Sequence, residues 1–155
     1  MRVSSKVDYA VRAAAELARR SPDRAARPTK GEELGEAQQI PTKYLESILS
    51  ELRRAGIVGS RRGSEGGYWC AAPPAEVSVA DIIRAVEGPL ADVRGEAPEA
   101  LDYVGAAEPL ERVWMATRAS LRRVLEAVTL ADIADDDLPS PVLELLEDPD
   151  ALARR

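Results

Sequence analysis

At 155 residues, 45% hydrophobic but only 4% aromatic and without a single Phe, the chain is sized for one domain with a helical extension, and its core has to be built from Leu, Val, Ile and Ala. The net charge of −6 conceals a polarity: residues 1–73 hold 13 Lys and Arg against 9 Asp and Glu, a net +4, while residues 74–155 hold 8 against 18, a net −10. With Cys70 as the one cysteine and no His, an intramolecular disulfide and a Cys/His zinc site within one chain are both excluded.

From Ser4 to about Arg20, Val7, Ala10, Val11, Ala14, Leu17 and Ala18 recur at helical spacing and predict an amphipathic first helix, ended by Ser21-Pro22-Asp23. Thr29 followed by Glu32 reads as a capping box opening a short second helix through Leu34 and Ala37. Gln38-Gln39-Ile40 forms the turn, and Pro41 suits the first turn of a third helix. There Leu45, Ile48, Leu49 and Leu52 make one apolar stripe, and Gly56 ends it.

The periodicity then shortens. Ile57-Val58 starts a strand, Arg61-Arg62-Gly63-Ser64-Glu65-Gly66-Gly67 forms a glycine-rich turn, and Tyr68-Trp69-Cys70 starts a return strand, closed by Pro73-Pro74. Ser78 with Asp81 caps a fourth helix bearing Val79, Ile82, Ile83 and Val86, stopped by Gly88-Pro89. Residues 90–107 read as a polar loop. Beyond them Leu110, Val113, Trp114, Thr117, Leu121, Val124, Leu125 and Val128 predict a long helix over 108–130, about 35 Å in length. The tail after Asp135 is acidic and punctuated by proline. No signal-peptide stretch opens the chain and no apolar run approaches the ~20 residues of a membrane span, so a cytoplasmic location is expected and no membrane partner.

Three short helices followed by a hairpin predict a mainly α fold, a winged helix-turn-helix with a long C-terminal dimerisation helix. The expected domains are a winged DNA-binding unit at 1–75, a fourth helix and effector-type loop at 76–107, a dimerisation helix at 108–135 and an acidic tail at 136–155. An α-helix fits the major groove, where base edges differ in their donors and acceptors, while a wing reaches the backbone or the neighbouring minor groove. The residues opposite the Leu/Ile stripe are Thr42, Lys43, Tyr44, Glu46, Ser47 and Ser50, and the first four are the ones presented to bases and phosphates. In the wing Arg61 and Arg62 supply cations, and Gly63, Ser64, Gly66 and Gly67 let the backbone approach phosphate. Any bundle has solvated polar faces; it is the third helix together with the hairpin directly after it that points to double-stranded DNA. With no His, and with the glycines in a hairpin rather than before a helix, nothing supports an enzyme.

The stretch Ile40-Pro41-x-x-Tyr44-Leu45-Glu46-x-Ile48-Leu49-x-x-Leu52-Arg53-x-Ala55-Gly56-x-Val58, followed by Ser60-x-x-Gly63-x-x-Gly66-Gly67-Tyr68 and Ile82-Ile83-Arg84-x-Val86-Glu87-Gly88-Pro89, resembles the Rrf-type winged helix-turn-helix regulators. Ser5-Lys6-x-x-Tyr9-Ala10 also fits, and the resemblance covers roughly residues 1–130. It implies a homodimeric repressor on a palindromic operator, with Tyr44 and Glu46 near bases and Lys6 and the wing arginines at phosphates or the minor groove.

Cluster-binding members of that family carry three cysteines between the fourth helix and the long one, and here Pro89 to Glu108 has none, so no iron–sulfur cofactor and no metal is expected. Asp8, near a carboxylate ligand position of the family's nitric-oxide sensor, then reads as an exposed surface residue. The cluster-free branch is the better comparison, through Asp81-Ile82-Ile83-Arg84-x-Val86-Glu87-Gly88-Pro89-Leu90 and Leu125-x-x-Val128-Thr129-Leu130-x-Asp132. That branch includes a cysteine-metabolism repressor. It implies control of sulfur-assimilation genes, with a cysteine-synthase-type protein or a small molecule as effector. Cys70, alone on a strand, reads as a small buried hydrophobe.

Overall fold

The computed structural model describes residues 2–151. The ends of the expected first and last domains, Met1 and residues 152–155, lie outside the described residues. Helix α1 spans Ser5–Arg20, with the Ser4 hydroxyl accepting from the Val7 N–H at 3.1 Å. Its apolar face is mostly alanine: Ala10, Ala13 and Ala14 are fully buried, and their small side chains let neighbouring helices approach closely.

Helix α2 spans Gly31–Gln38. Its start corrects the expected capping pair by one residue, because the Glu33 carboxylate, not Glu32, accepts from a backbone N–H, that of Lys30, at 2.9 Å. Thr29 is committed elsewhere, exchanging backbone hydrogen bonds of 2.9 and 2.8 Å with Tyr68 and sharing a 2.8 Å hydroxyl contact with Ser21. Gln39, at φ 53°, turns the chain into α3, Thr42–Arg54. Pro41 sits just ahead of α3 rather than within its first turn, its carbonyl accepting from Tyr44 and Leu45. Leu45, Ile48, Leu49 and Leu52 are all buried.

Gly56, at φ +76°, ends α3 and feeds the hairpin β1 Val58–Arg61 and β2 Gly67–Cys70. The antiparallel register runs from Val58 opposite Cys70 to Arg61 opposite Gly67. Thr29 bridges the other edge of β2 at Tyr68, so the loop after α1 is tied to the wing. Helix α4, Val79–Glu87, carries the expected box: Ser78 accepts from the Asp81 N–H at 3.2 Å and Asp81 from the Ser78 N–H at 3.0 Å.

The long helix is shorter than its apolar spacing predicts. Helix α5 spans Leu110–Leu125, 16 residues and about 24 Å, instead of 108–130. The break is set by pairing with the segment ahead of α4: Val79 donates to the Val128 carbonyl and Leu130 to the Val77 carbonyl, both at 2.9 Å, which requires extended backbone at Thr129. Thr129 and Asp132 then cap α6, Leu130–Asp135, which packs on α1. Val128, expected on the dimer seam, is buried in its own subunit, as is Leu130. The tail carries a further helix, α7, Ser140–Leu146. One core unites α1, α2, α3, α4, α6 and the base of the hairpin. Among the described residues no helix is long and apolar enough to cross a membrane.

Candidate nucleic-acid interface

The buried stripe of α3 fixes which of its side chains face outward. Thr42, Lys43, Tyr44, Glu46 and Ser47 are exposed, and Tyr44 keeps half of its surface in solvent. The structure divides them between two flanks. Thr42 and Glu46 face a cleft of about 620 Å³ between the starts of α2 and α3 and the wing. Arg61, Arg62, Gly63, Ser64, Gly66 and Gly67 complete its far wall, so eight of the predicted residues meet around one concavity. Tyr44 instead lies over α1, its ring centroid 6.1 Å from that of Tyr9, with the Lys43 ammonium 4.9 Å from the Tyr44 ring.

Lys6 is more engaged than the sequence implies. Its ammonium donates to the Val86 carbonyl at 2.7 Å and pairs with Glu51 at 2.8 Å, tying α1 to α3 and α4. The side chain is still 41% exposed.

The wing's shape comes from backbone geometry that a side chain would block. Gly66 donates to the Gly63 carbonyl at 2.9 Å, and a Cβ there would lie 2.4 Å from the Arg61 carbonyl oxygen. Gly67 adopts φ +151°, and a Cβ on it would meet the Thr29 carbonyl oxygen at 2.6 Å. The Arg61 Nε donates to the Glu65 carbonyl at 3.2 Å, holding the tip closed. Sequence reasoning passed over Arg53 and Lys30, which line the same cleft. Arg53 stands seven positions after Glu46, two helical turns along the same face, and that spacing was the signal.

Behind this surface a buried carboxylate sets the geometry between α1 and α2. Glu16 is 7% exposed and accepts from Arg19 and Arg20 on its own helix and from the Gln38 amide at 2.9 Å. Burial alone would raise its pKa, but those hydrogen bonds and the Arg19 charge outweigh it and hold the carboxyl at about 2. Arg12 meanwhile donates to the Gln38 carbonyl and pairs with Asp8 at 3.0 Å. The turn ahead of α3 is thus clamped from both sides.

The expected seam residues Leu110, Val113, Trp114, Thr117, Leu121, Val124 and Leu125 all lie on α5, and no residue of that helix is buried. Val113 is 51% and Met115 40% exposed. The loop before α5 packs on that helix: Leu90, Pro98 and Leu101 are buried, Glu99 pairs with Arg118 at 2.7 Å, and Trp114 donates to the Tyr103 hydroxyl at 3.1 Å.

The Rrf2 family, described as iron-dependent transcriptional regulators, matches residues 3–136. The Mycobacterium tuberculosis protein Rv1287, whose name describes an HTH-type transcriptional regulator, is 45% identical over 148 residues, covering 96% of this chain and 90% of its own. Among solved structures, CymR, the global cysteine regulator of Bacillus subtilis, superposes with a TM-score of 0.71 at 31% identity, covering 88% of this chain and 98% of its own. The T. potens IscR structure superposes with a TM-score of 0.67 at 30% identity, covering 100% of this chain and 93% of its own. The iron in the family's description finds no matching donor set here. Cys70 is the one thiol and is buried on β2, the chain has no His, and no group of three candidate ligands converges among the described residues. A winged reading head with an exposed α3, a glycine-shaped wing and these relatives together place the chain in the Rrf2 family of DNA-binding transcriptional regulators.

Proposed function

We propose that the chain acts as a homodimeric repressor that reads a palindromic operator with α3 and its wing. The observation that carries this is the cleft between α3 and the hairpin, where Thr42 and Glu46 stand opposite Arg61 and Arg62. Thr42, Lys43, Tyr44 and Glu46 contact bases and nearby phosphates, the wing and Lys6 contact backbone, and the protein has no catalytic role. The seam is α5, none of whose residues is fully buried within one subunit and where Val113 and Met115 are exposed. At about 24 Å this helix does not by itself span the ~34 Å between half-sites, so operator spacing depends on how the two subunits cross. The domains follow: reading head to residue 75, α4 and the effector-type loop to 107, then the dimerisation segment and acidic tail, in a cytoplasmic protein. CymR is a global cysteine regulator, which supports sulfur-assimilation genes as targets; a cysteine-synthase-type protein or small molecule is the effector that goes with such targets.

The test is binding to the DNA upstream of the chain's own gene, with molecular mass measured in solution. Arg61→Ala with Arg62→Ala should lower the slope of log affinity against log salt by nearly 2, at ~0.9 per phosphate contact. Val113→Glu should shift the mass to that of one chain and weaken operator binding together. A monomeric wild-type protein, or retention on DNA that ignores salt, would favour a protein–protein module instead.

A further inference from the structure

The wing has a second concave side. Opposite the α3 cleft, a hollow of about 470 Å³ lies between the wing tip and the loop after α1. Arg24, Arg27 and Lys30 line it from the loop and Arg61 from the wing, against one carboxylate, that of Glu65. Lys30, Arg61, Ser64 and Gly66 line both hollows, so the wing is a thin wall between two cationic clefts.

The loop that brings these cations is built to hold its shape. Asp23 accepts from the N–H groups of Ala25 and Ala26 at 2.7 and 2.9 Å, and the Ser21 hydroxyl donates to the Arg27 carbonyl at 2.5 Å. The Thr29–Tyr68 bridge then fastens the loop to β2. The carboxylates of Asp23 and Glu33 are thus spent on backbone N–H groups. Glu33 also pairs with Arg27 at 3.1 Å, yet that arginine remains 79% exposed. The loop is therefore fastened to the wing and carries its charge outward.

We propose that Arg24, Arg27, Lys30 and Arg61 form a second phosphate-binding cleft, which takes the duplex backbone on the far side of the minor groove entered by the wing. This rests on the DNA-binding reading with the wing at the duplex. A minor groove is only ~6 Å across, so a hairpin lodged in it has a phosphate strand on each side. The α3 cleft meets the strand shared with the major groove, and the outer cleft meets the other. Because phosphates carry no sequence information, these contacts lengthen the footprint and add affinity without changing operator preference.

The experiment compares Arg24→Ala/Arg27→Ala with Arg61→Ala/Arg62→Ala on operator and random duplexes across a salt series, with hydroxyl-radical footprinting. Both arginines of the loop are exposed, and melting temperature confirms that the fold is kept; Arg24→Lys/Arg27→Lys, which keeps the charge, should restore the slope. For the loop double variant we expect a slope reduced by nearly 2 and affinity lowered roughly 10- to 30-fold near 0.15 M salt, by the same factor on both duplexes. Protection should disappear from the outermost backbone positions alone. A slope unchanged in the loop variant but reduced in the wing variant overturns the outer cleft and leaves the DNA reading intact. A slope unchanged in both overturns the wing's place on DNA, and this inference with it.

Discussion

Glu16→Gln isolates the charge of one buried carboxylate while keeping its shape and one acceptor. The wild-type carboxyl sits at about 2 against an ordinary 4.5, because hydrogen bonds from Arg19, Arg20 and Gln38 overcome the cost of burial. A carboxyl held low in the folded state stabilises the fold fully above 4.5, and that contribution drains away as pH falls from 4.5 towards 2. At about 1.4 kcal/mol per pH unit the shift corresponds to roughly 3 kcal/mol, reduced to about 2 because Arg19 and Arg20 are part solvated. Urea unfolding at neutral pH should therefore show Glu16→Gln about 2 kcal/mol less stable than wild type, with the gap closing to near zero around pH 2. A loss of equal size at both pH values would mean that the amide simply packs badly, and the electrostatic argument would be refuted.

Gly66→Ala should collapse the wing turn without melting the domain, since the new Cβ has only rigid carbonyl and carbon atoms of residues 61–63 to meet; DNA affinity should fall at least tenfold while the melting temperature moves by a few degrees. Ser78→Ala removes the hydroxyl that caps α4 and should cost about 1 kcal/mol in a urea titration. Cys70 is buried, and burial pushes its thiol up to about 11. Iodoacetamide at pH 8 should accordingly label the folded protein roughly a hundredfold more slowly than the urea-unfolded chain, and comparable rates would place Cys70 outside the core.

Local chemistry accounts for most of the reading head before any packing is known. The 3–4 spacing of Leu45, Ile48, Leu49 and Leu52 orients α3, and with that stripe turned inward Thr42, Tyr44 and Glu46 have nowhere to go but solvent. The glycines at 63, 66 and 67 announce the hairpin because only a residue without Cβ fits the carbonyls around the turn. Ser78 and Asp81 likewise mark the start of α4, since a capping box needs only residues three apart.

Where long-range partners compete with a local signal, the sequence points the wrong way or nowhere. Thr29 has the look of a helix cap, but its backbone pairs with Tyr68, nearly forty positions on, and the cap passes to the next residue. The apolar period of α5 runs on through Val128, yet backbone pairing with Val77 and Val79 pulls that segment straight and buries Val128 in its own core. Lys6 stands out by its motif, but only the fold brings the Glu51 carboxylate, 45 positions away, to 2.8 Å from its ammonium. The outer cationic cleft belongs to the same class: Arg24 and Arg27 are unremarkable in a polar loop until the bridge to β2 sets them beside Arg61. Periodicity and turn chemistry are written within a few residues of each other, and so the sequence alone determined the first four helices, the hairpin and the exposed face of α3. Which groups remain free for a ligand was decided by tertiary structure, because a charge or carbonyl is consumed by whatever the folded chain brings within about 3 Å.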